Sequence, residues 1–252
     1  MKFLFRAYNY YFSADKSLAR KMKDLIGFTP SKLHIFKLAF YHKSAANDKM
    51  TTAITSNERL EYLGDAVLGT IVAEYLFKKY PNKNEGFLTK MRSKIVKRQS
   101  LNQIADKMGL DVILNEYNQT RLSRSMLGNA LEALVGAVYL ECGYNGTKKY
   151  VIHKILRSYL DIHQLEEYDD NYKSQLLEHC QKNGQVVTYK MLAKYKFDKR
   201  DRFKVAVMID GKKYATADDF NKKSAEQTAS EKAMHSLGLI TAAHKKQVQA
   251  NA

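Results

Sequence analysis

The sequence predicts a mostly α-helical N-terminal domain followed by a small α+β domain, on three observations. Apolar residues recur three and four apart from residue 17 to about 162; strict alternation first appears at RFKVAVMID; and a polar run, His163 to Asp170, separates the two patterns. A chain of 252 residues has room for two cores. The expected boundaries are 17–162 and 171–240, with 163–170 as linker and an aperiodic tail at 241–252 expected to be mobile.

In the N-terminal part the helical segments are SKLHIFKLAFYHKSA, ERLEYLGDAVLGTIVAEYLFKKY, SLNQIADKMGLD and GNALEALVGAVYLECG. Pro81 with Asn82 and Asn84 separates one helix from the next, and the stretch from Cys142-Gly143 through Gly146 ends another. Residues 172 to 183 then make an amphipathic helix. In RFKVAVMID, Phe203, Val205, Val207 and Ile209 alternate with Lys204, Ala206, Met208 and Asp210, the pattern of a half-buried strand. Asp210-Gly211 suits a type I′ hairpin turn into KKYATA. The last helix, NKKSAEQTASEKAMHSLG, sets Ala225, Ala229, Ala233 and Leu237 on one face.

Composition narrows the partner. The hydrophobic fraction, 45%, is that of a globular protein, whereas a formal charge of +16 and a pI near 9.6 call for a polyanion. No apolar run approaches the roughly 18 residues that span a bilayer, so no membrane partner is expected. MKFLFRAYNYYF is broken by Arg6 and Asn9 and lacks a small-residue cleavage site, so it does not read as a signal peptide. Cys142 and Cys180 stand far apart, giving neither a zinc pattern nor a disulfide framework; both are expected to be thiols in a cytoplasmic protein.

Residues 57 to 69, NERLEYLGDAVLG, put acids where packing is expected. Glu61 and Asp65 are i and i+4, and Glu58 lies one step back on nearly the same side. Like charges repel at that spacing, and Leu60, Leu63, Val67 and Leu68 mark much of the helix as packed, so something positive should sit between the acids. Glu132 lies in a segment that is apolar nearly all round, Ala130, Leu131, Ala133, Leu134, Val135, Ala137 and Val138, with Asn129 three residues before it. Four oxygen-bearing side chains facing one another suit a hard cation, Mg²⁺ or Mn²⁺. Spacing alone leaves a second reading open, in which each pair is a solvated edge, a cap or an ion-pair partner of Arg59 or Arg92. None of the seven histidines falls in a nucleophile-base array.

NERLEYLGDAVLG resembles the signature motif of the ribonuclease III family. YHKSAAND before it, PNKNEGFLTKMRSKIV after it and NALEALVGAVYLE as a second acidic helix follow in that family's order, and together they cover about residues 20 to 160. The resemblance implies an all-helical, dimeric endonuclease domain in which Glu61, Asp65 and Glu132 are catalytic metal ligands and Glu58 is an auxiliary acid. It implies hydrolysis of double-stranded RNA with Mg²⁺, Mn²⁺ being a possible substitute. It further implies products with 5′-phosphate and 3′-hydroxyl ends and two-nucleotide 3′ overhangs, and, as substrates, ribosomal RNA precursors and structured transcripts. Asn129 departs from the family, which carries aspartate there; the amide oxygen can still coordinate, but the site has one negative charge fewer. Tyr62 matches the aromatic position that packs into the partner subunit of a homodimer.

Residues 172 to 238 resemble the double-stranded-RNA-binding domain of bacterial members, with α-β-β-β-α order. Ser174, Glu178 and Gln181 match its minor-groove contacts, although Leu177 stands where a polar residue is frequent. Lys222 and Lys223 match its phosphate contacts at a helix N-terminus. FDKRDRF lacks the family's Gly-Pro-x-His, and ATADDF stands where glycines are expected; Lys199, Arg200 and Arg202 are the candidate substitutes, while Asp218 and Asp219 would repel phosphate. Two rival functions are a non-catalytic RNA-binding or ribosome-associated protein on the same fold, which Asn129 alone favours, and a basic protein docking on anionic lipid, which lacks the amphipathic basic helix it needs.

Overall fold

The computed structural model of the protein describes residues 1–42, 56–118, 123–167 and 171–240. The YHKSAAND stretch beyond His42, linker residues 168–170 and the expected tail at 241–252 lie outside the described residues. The chain divides into two units, Met1–Glu167 and Tyr168–Ala252.

The first unit is helical: α1 (Lys2–Tyr11), α2 (Lys16–Ile26), α3 (Leu33–Ala39), α4 (Glu58–Lys79), α5 (Glu85–Val96), α6 (Arg98–Lys107), α7 (Leu110–Tyr117) and α8 (Arg124–Tyr150), then a π-helical turn (Val151–Leu156), α9 (Arg157–Tyr159) and α10 (Ile162–Glu167). Its core is built around α8, where Ala130, Leu131, Ala133, Leu134, Val135, Ala137 and Val138 are all fully buried, as the run of apolar residues predicts. Against it α4 buries Leu60, Gly64, Leu68, Ile71, Val72 and Leu76. Glu58 and Glu61 in its first turn and Lys78 and Lys79 in its last complement the helix dipole. Pro81 follows its end, and Asn84 caps α5 by accepting from Phe87 N at 3.0 Å. Gly143, with φ 67° and ψ −174°, breaks α8 at the expected place.

Two elements differ from the sequence expectation. α1 precedes the expected domain start at residue 17 and is tied to α8 through Glu141, which is only 2% exposed: Arg6 Nη2 donates to its carboxylate at 3.1 Å and Ser31 Oγ at 2.8 Å, while Lys2 Nζ donates to its carbonyl at 3.0 Å. Most of the run expected as a linker, 163–167, belongs to α10, which Lys94 Nζ anchors by donating to the Leu165 carbonyl at 2.7 Å and the Tyr80 hydroxyl by donating to Glu166. Among the described residues no helix is long and apolar enough to cross a membrane.

The second unit runs α11 (Tyr172–Lys182), β1 (Val187–Phe197), β2 (Arg200–Ile209), β3 (Lys212–Asp219) and α12 (Lys222–Ser236), with an antiparallel sheet in the order β1-β2-β3. Asp210 and Gly211, at φ 49° and 76°, make the expected turn. Val205, Val207 and Ile209 are buried, and the two helices close over the sheet with Leu176, Cys180, Ala229, Ala233 and Met234. Ala206, expected on the solvent side, is also buried; it is a small side chain on the central strand between Lys190 and Thr216.

Candidate active site and RNA-binding surface

α4 crosses α8 beside the predicted acids. The crossing is so close that a Cβ on Gly64 would stand 1.7 Å from the Glu132 carbonyl oxygen, and one on Gly136 would stand 2.4 Å from that of Leu60. Gly64 lies between Glu61 and Asp65 on α4, so backbone-to-backbone contact brings those two acids to Glu132. Only glycine permits that approach, and neither glycine is signalled as a contact by local pattern.

Glu132 and Asn129 are half-buried on α8; Glu58 and Glu61 are half-buried and Asp65 exposed on α4. Burial pushes the Glu132 carboxyl up to about 7, helped by the negative charges of Asp65 and then Glu61, with Arg98 acting in the opposite sense. Three carboxylates and an amide offer only hard oxygen donors, which suits Mg²⁺ or Mn²⁺ better than zinc. Among the described residues no three His, Cys, Asp or Glu side chains already close on a common point as a ligand set. The charges of Asp65 and Glu61 bear on Glu132 across the crossing. Arg98 is the charged neighbour that sequence reasoning missed, because its approach depends on how α6 packs. Asp65 and Glu61 thus act on Glu132 through their charge, and Glu58 lies in the first turn of α4.

Tyr62, on α4, is 82% exposed, which excludes an ordinary core aromatic.

In the second unit Ser174, Glu178 and Gln181 lie on α11, half-buried, exposed and exposed, with Leu177 exposed beside them. Lys222 and Lys223 open α12, where Asn221 Oδ1 accepts from Lys223 N at 2.8 Å. Lys222 is 4.0 Å from Glu226, whose closer partner is Lys173 at 2.6 Å. The FDKRDRF segment is no open loop. Asp198 and Lys199, at φ 49° and 60°, form a tight turn between β1 and β2. Lys199 sits at its tip, and Arg200 begins β2 over the Phe220 ring at 5.8 Å. Arg202 is held internally, 5.3 Å from the Phe197 ring, 4.9 Å from that of Phe220 and 3.4 Å from Asp218. Asp218 also accepts from the Tyr195 hydroxyl at 2.7 Å, so its charge is met within the sheet.

The lysine pair yields a test. Lys222→Ala with Lys223→Ala is expected to weaken binding to every duplex sequence and to flatten log K against log salt by about 1 to 2, since each lost phosphate contact releases fewer counterions. A salt titration giving the parental slope would remove both residues from the interface.

A ribonuclease-III-like family model matches residues 33–159, and a double-stranded RNA binding motif matches residues 172–237. Ribonuclease 3 of Flavobacterium psychrophilum is 38% identical over 221 residues, covering 87% of this chain and 90% of that one. Ribonuclease 3 of Bacteroides thetaiotaomicron is 36% identical over 212 residues, covering 83% of this chain and 68% of that one. A solved nuclease domain of ribonuclease III from Campylobacter jejuni aligns at a TM-score of 0.48 with 30% identity, over 56% of this chain and 96% of that one. With the two domain matches in this order and relatives this similar along most of its length, the chain belongs to the ribonuclease III family.

Proposed function

We propose that this double-stranded-RNA endoribonuclease cuts at the crossing of α4 and α8, with Glu61, Asp65 and Glu132 as carboxylate ligands and Asn129 as an amide ligand to Mg²⁺ or Mn²⁺, and Glu58 as an auxiliary acid at the edge. The observation that carries this reading is Glu132, a half-buried carboxylate within reach of two more charges of the same sign. A divalent cation bound there supplies a water activated near neutral pH and offsets the charge that grows on the scissile phosphate. Glu132 would hold such a cation only in its deprotonated form, so binding would weaken as pH falls. Contact between the backbones at Gly64 and Gly136 supports this reading by holding α4 close against α8, and Glu58, in the first turn of α4, would help to orient RNA or water.

Two chains pairing through the α4 face that bears Tyr62 would set two such sites against the two strands of a duplex, and the exposure of that ring supports this arrangement. On this reading the enzyme works in the cytoplasm on ribosomal RNA precursors and structured transcripts, leaving 3′ overhangs of two nucleotides.

The test is a labelled duplex of about 40 base pairs, more than the roughly 16 that one RNA-binding domain spans, incubated with protein in Mg²⁺ or in chelator. Cleavage is expected in Mg²⁺ alone; equal cleavage in chelator would end the metal assignment. Asn129 refines it. Asn129→Ala should raise the Mg²⁺ concentration for half-maximal cleavage at least about tenfold, the scale on which even a ligand's supporting hydrogen bonds act. Asn129→Asp should lower that concentration, because an added carboxylate attracts the cation. An alanine variant with the parental Mg²⁺ curve would show that Asn129 is no ligand.

A further inference from the structure

α6 packs on α8, where Gly128 N donates to Asn102 Oδ1 at 2.9 Å. Arg98 lies one turn before Asn102, and Glu132 lies one turn after Gly128. The Arg98 guanidinium acts electrostatically on Glu132, so the two helices run in opposite directions here and the start of α6 borders the acid site. Gly128 leaves room for this contact, since a Cβ there would stand 2.6 Å from Asn102 Oδ1.

Arg98 is exposed and, among the described residues, forms no ion pair, although its charge reaches Glu132. Nor does its own helix call for a cation at that position, because positive charge in a first turn opposes the macrodipole. A guanidinium beside carboxylates but bound to none of them is arranged for an anion that arrives between. In an enzyme that hydrolyses RNA, that anion is a backbone phosphate, for which arginine's planar fork is suited.

We propose that Arg98 is a phosphate-contacting residue of this reaction, gripping a backbone phosphate adjacent to the one hydrolysed at the acid site. This rests on the assignment of that site to Glu61, Asp65 and Glu132. It adds a substrate contact from α6 to a site otherwise built from α4 and α8.

The experiment is single-turnover cleavage of a set of duplexes, each with one uncharged methylphosphonate replacing one phosphate, by the full-length parent, Arg98→Ala and Arg98→Lys. Arg98→Ala is expected to raise the RNA concentration for half-maximal rate about tenfold, the weight of one charge-assisted hydrogen bond, and to melt at the parental temperature. At one phosphate position the parent should slow by a similar factor while Arg98→Ala slows no further; Arg98→Lys, keeping charge without the fork, should fall between them. The proposal is overturned if every methylphosphonate slows parent and Arg98→Ala by the same factor, or if Arg98→Ala shifts only the pH profile, which would make Arg98 a neighbour that tunes Glu132. Failure of the underlying site assignment looks different: Glu132→Gln would then cut at the parental rate.

Discussion

Glu132→Gln is expected to bind duplex RNA with parental affinity and to cut it at least about 10²–10³ times more slowly, the scale on which a preorganised electrostatic contact to a transition state acts. The substitution keeps the size and polarity of the side chain while removing the anionic ligand, and it leaves Lys222, Lys223 and α11 in the other unit untouched. It also carries a stability signature that separates the site from an ordinary surface acid. The folded-state pKa of Glu132, about 7, lies above the ordinary value of 4.5, so the folded chain holds this proton more tightly than the unfolded one. Stability therefore falls as pH rises through that window, and the deficit is complete above about 7. In chelator, Glu132→Gln should melt above the parent at pH 8, and the two should converge at pH 4.5 and below. Thermal melts at both pH values, paired with single-turnover cleavage, check both halves. A mutant that melts with the parent at pH 8 would deny the crowding of Glu132 by Asp65 and Glu61, and one that cuts at the parental rate would remove it from the site.

The acids were legible in the sequence because they break a local rule. Glu61, Asp65 and Glu132 put charge into helices whose other residues ask for burial, and that conflict can be seen without knowing which helix meets which. What stayed hidden was set by contacts between distant residues. Gly64 and Gly136 read locally as weak points in their helices, and only the crossing of α4 with α8 gives them a purpose. Arg98 looks like one more cation in a basic chain until the Asn102–Gly128 hydrogen bond fixes the register of α6. β1 carries Lys190, Lys194 and Lys196 among its aromatic residues and is largely exposed, so hydrophobic alternation does not mark it; β2, buried on one face, was plain. α10 has the composition of a linker and is held by Lys94 and Tyr80, both more than sixty residues earlier in the chain.

Gly64→Ala is expected to damage both fold and chemistry, and Gly69→Ala, five residues along the same helix, to improve stability. The two substitutions add the same methyl group and the same gain in helix propensity, about 0.5–1 kcal/mol in a helix interior. They differ in what the methyl meets. At Gly69 nothing lies within 4 Å, so the propensity gain should appear undiminished. At Gly64 the new Cβ would fall 1.7 Å from the Glu132 carbonyl oxygen and 2.6 Å from its carbon, and these are backbone atoms of the central helix that cannot rotate away. The helices must separate, opening packed contacts along α4 and α8, at a cost of about 3 kcal/mol or more. For a unit of this size that corresponds to a fall in melting temperature of about 6–12 °C. Separation also moves Glu61 and Asp65 away from Glu132. Cleavage should therefore drop by more than the folded fraction accounts for at a temperature where the variant is still folded, while duplex binding by the second unit persists. Calorimetric melts and cleavage rates of the two alanine variants, taken side by side, decide the matter: if Gly64→Ala behaves like Gly69→Ala, the close crossing of the two helices does not build the site.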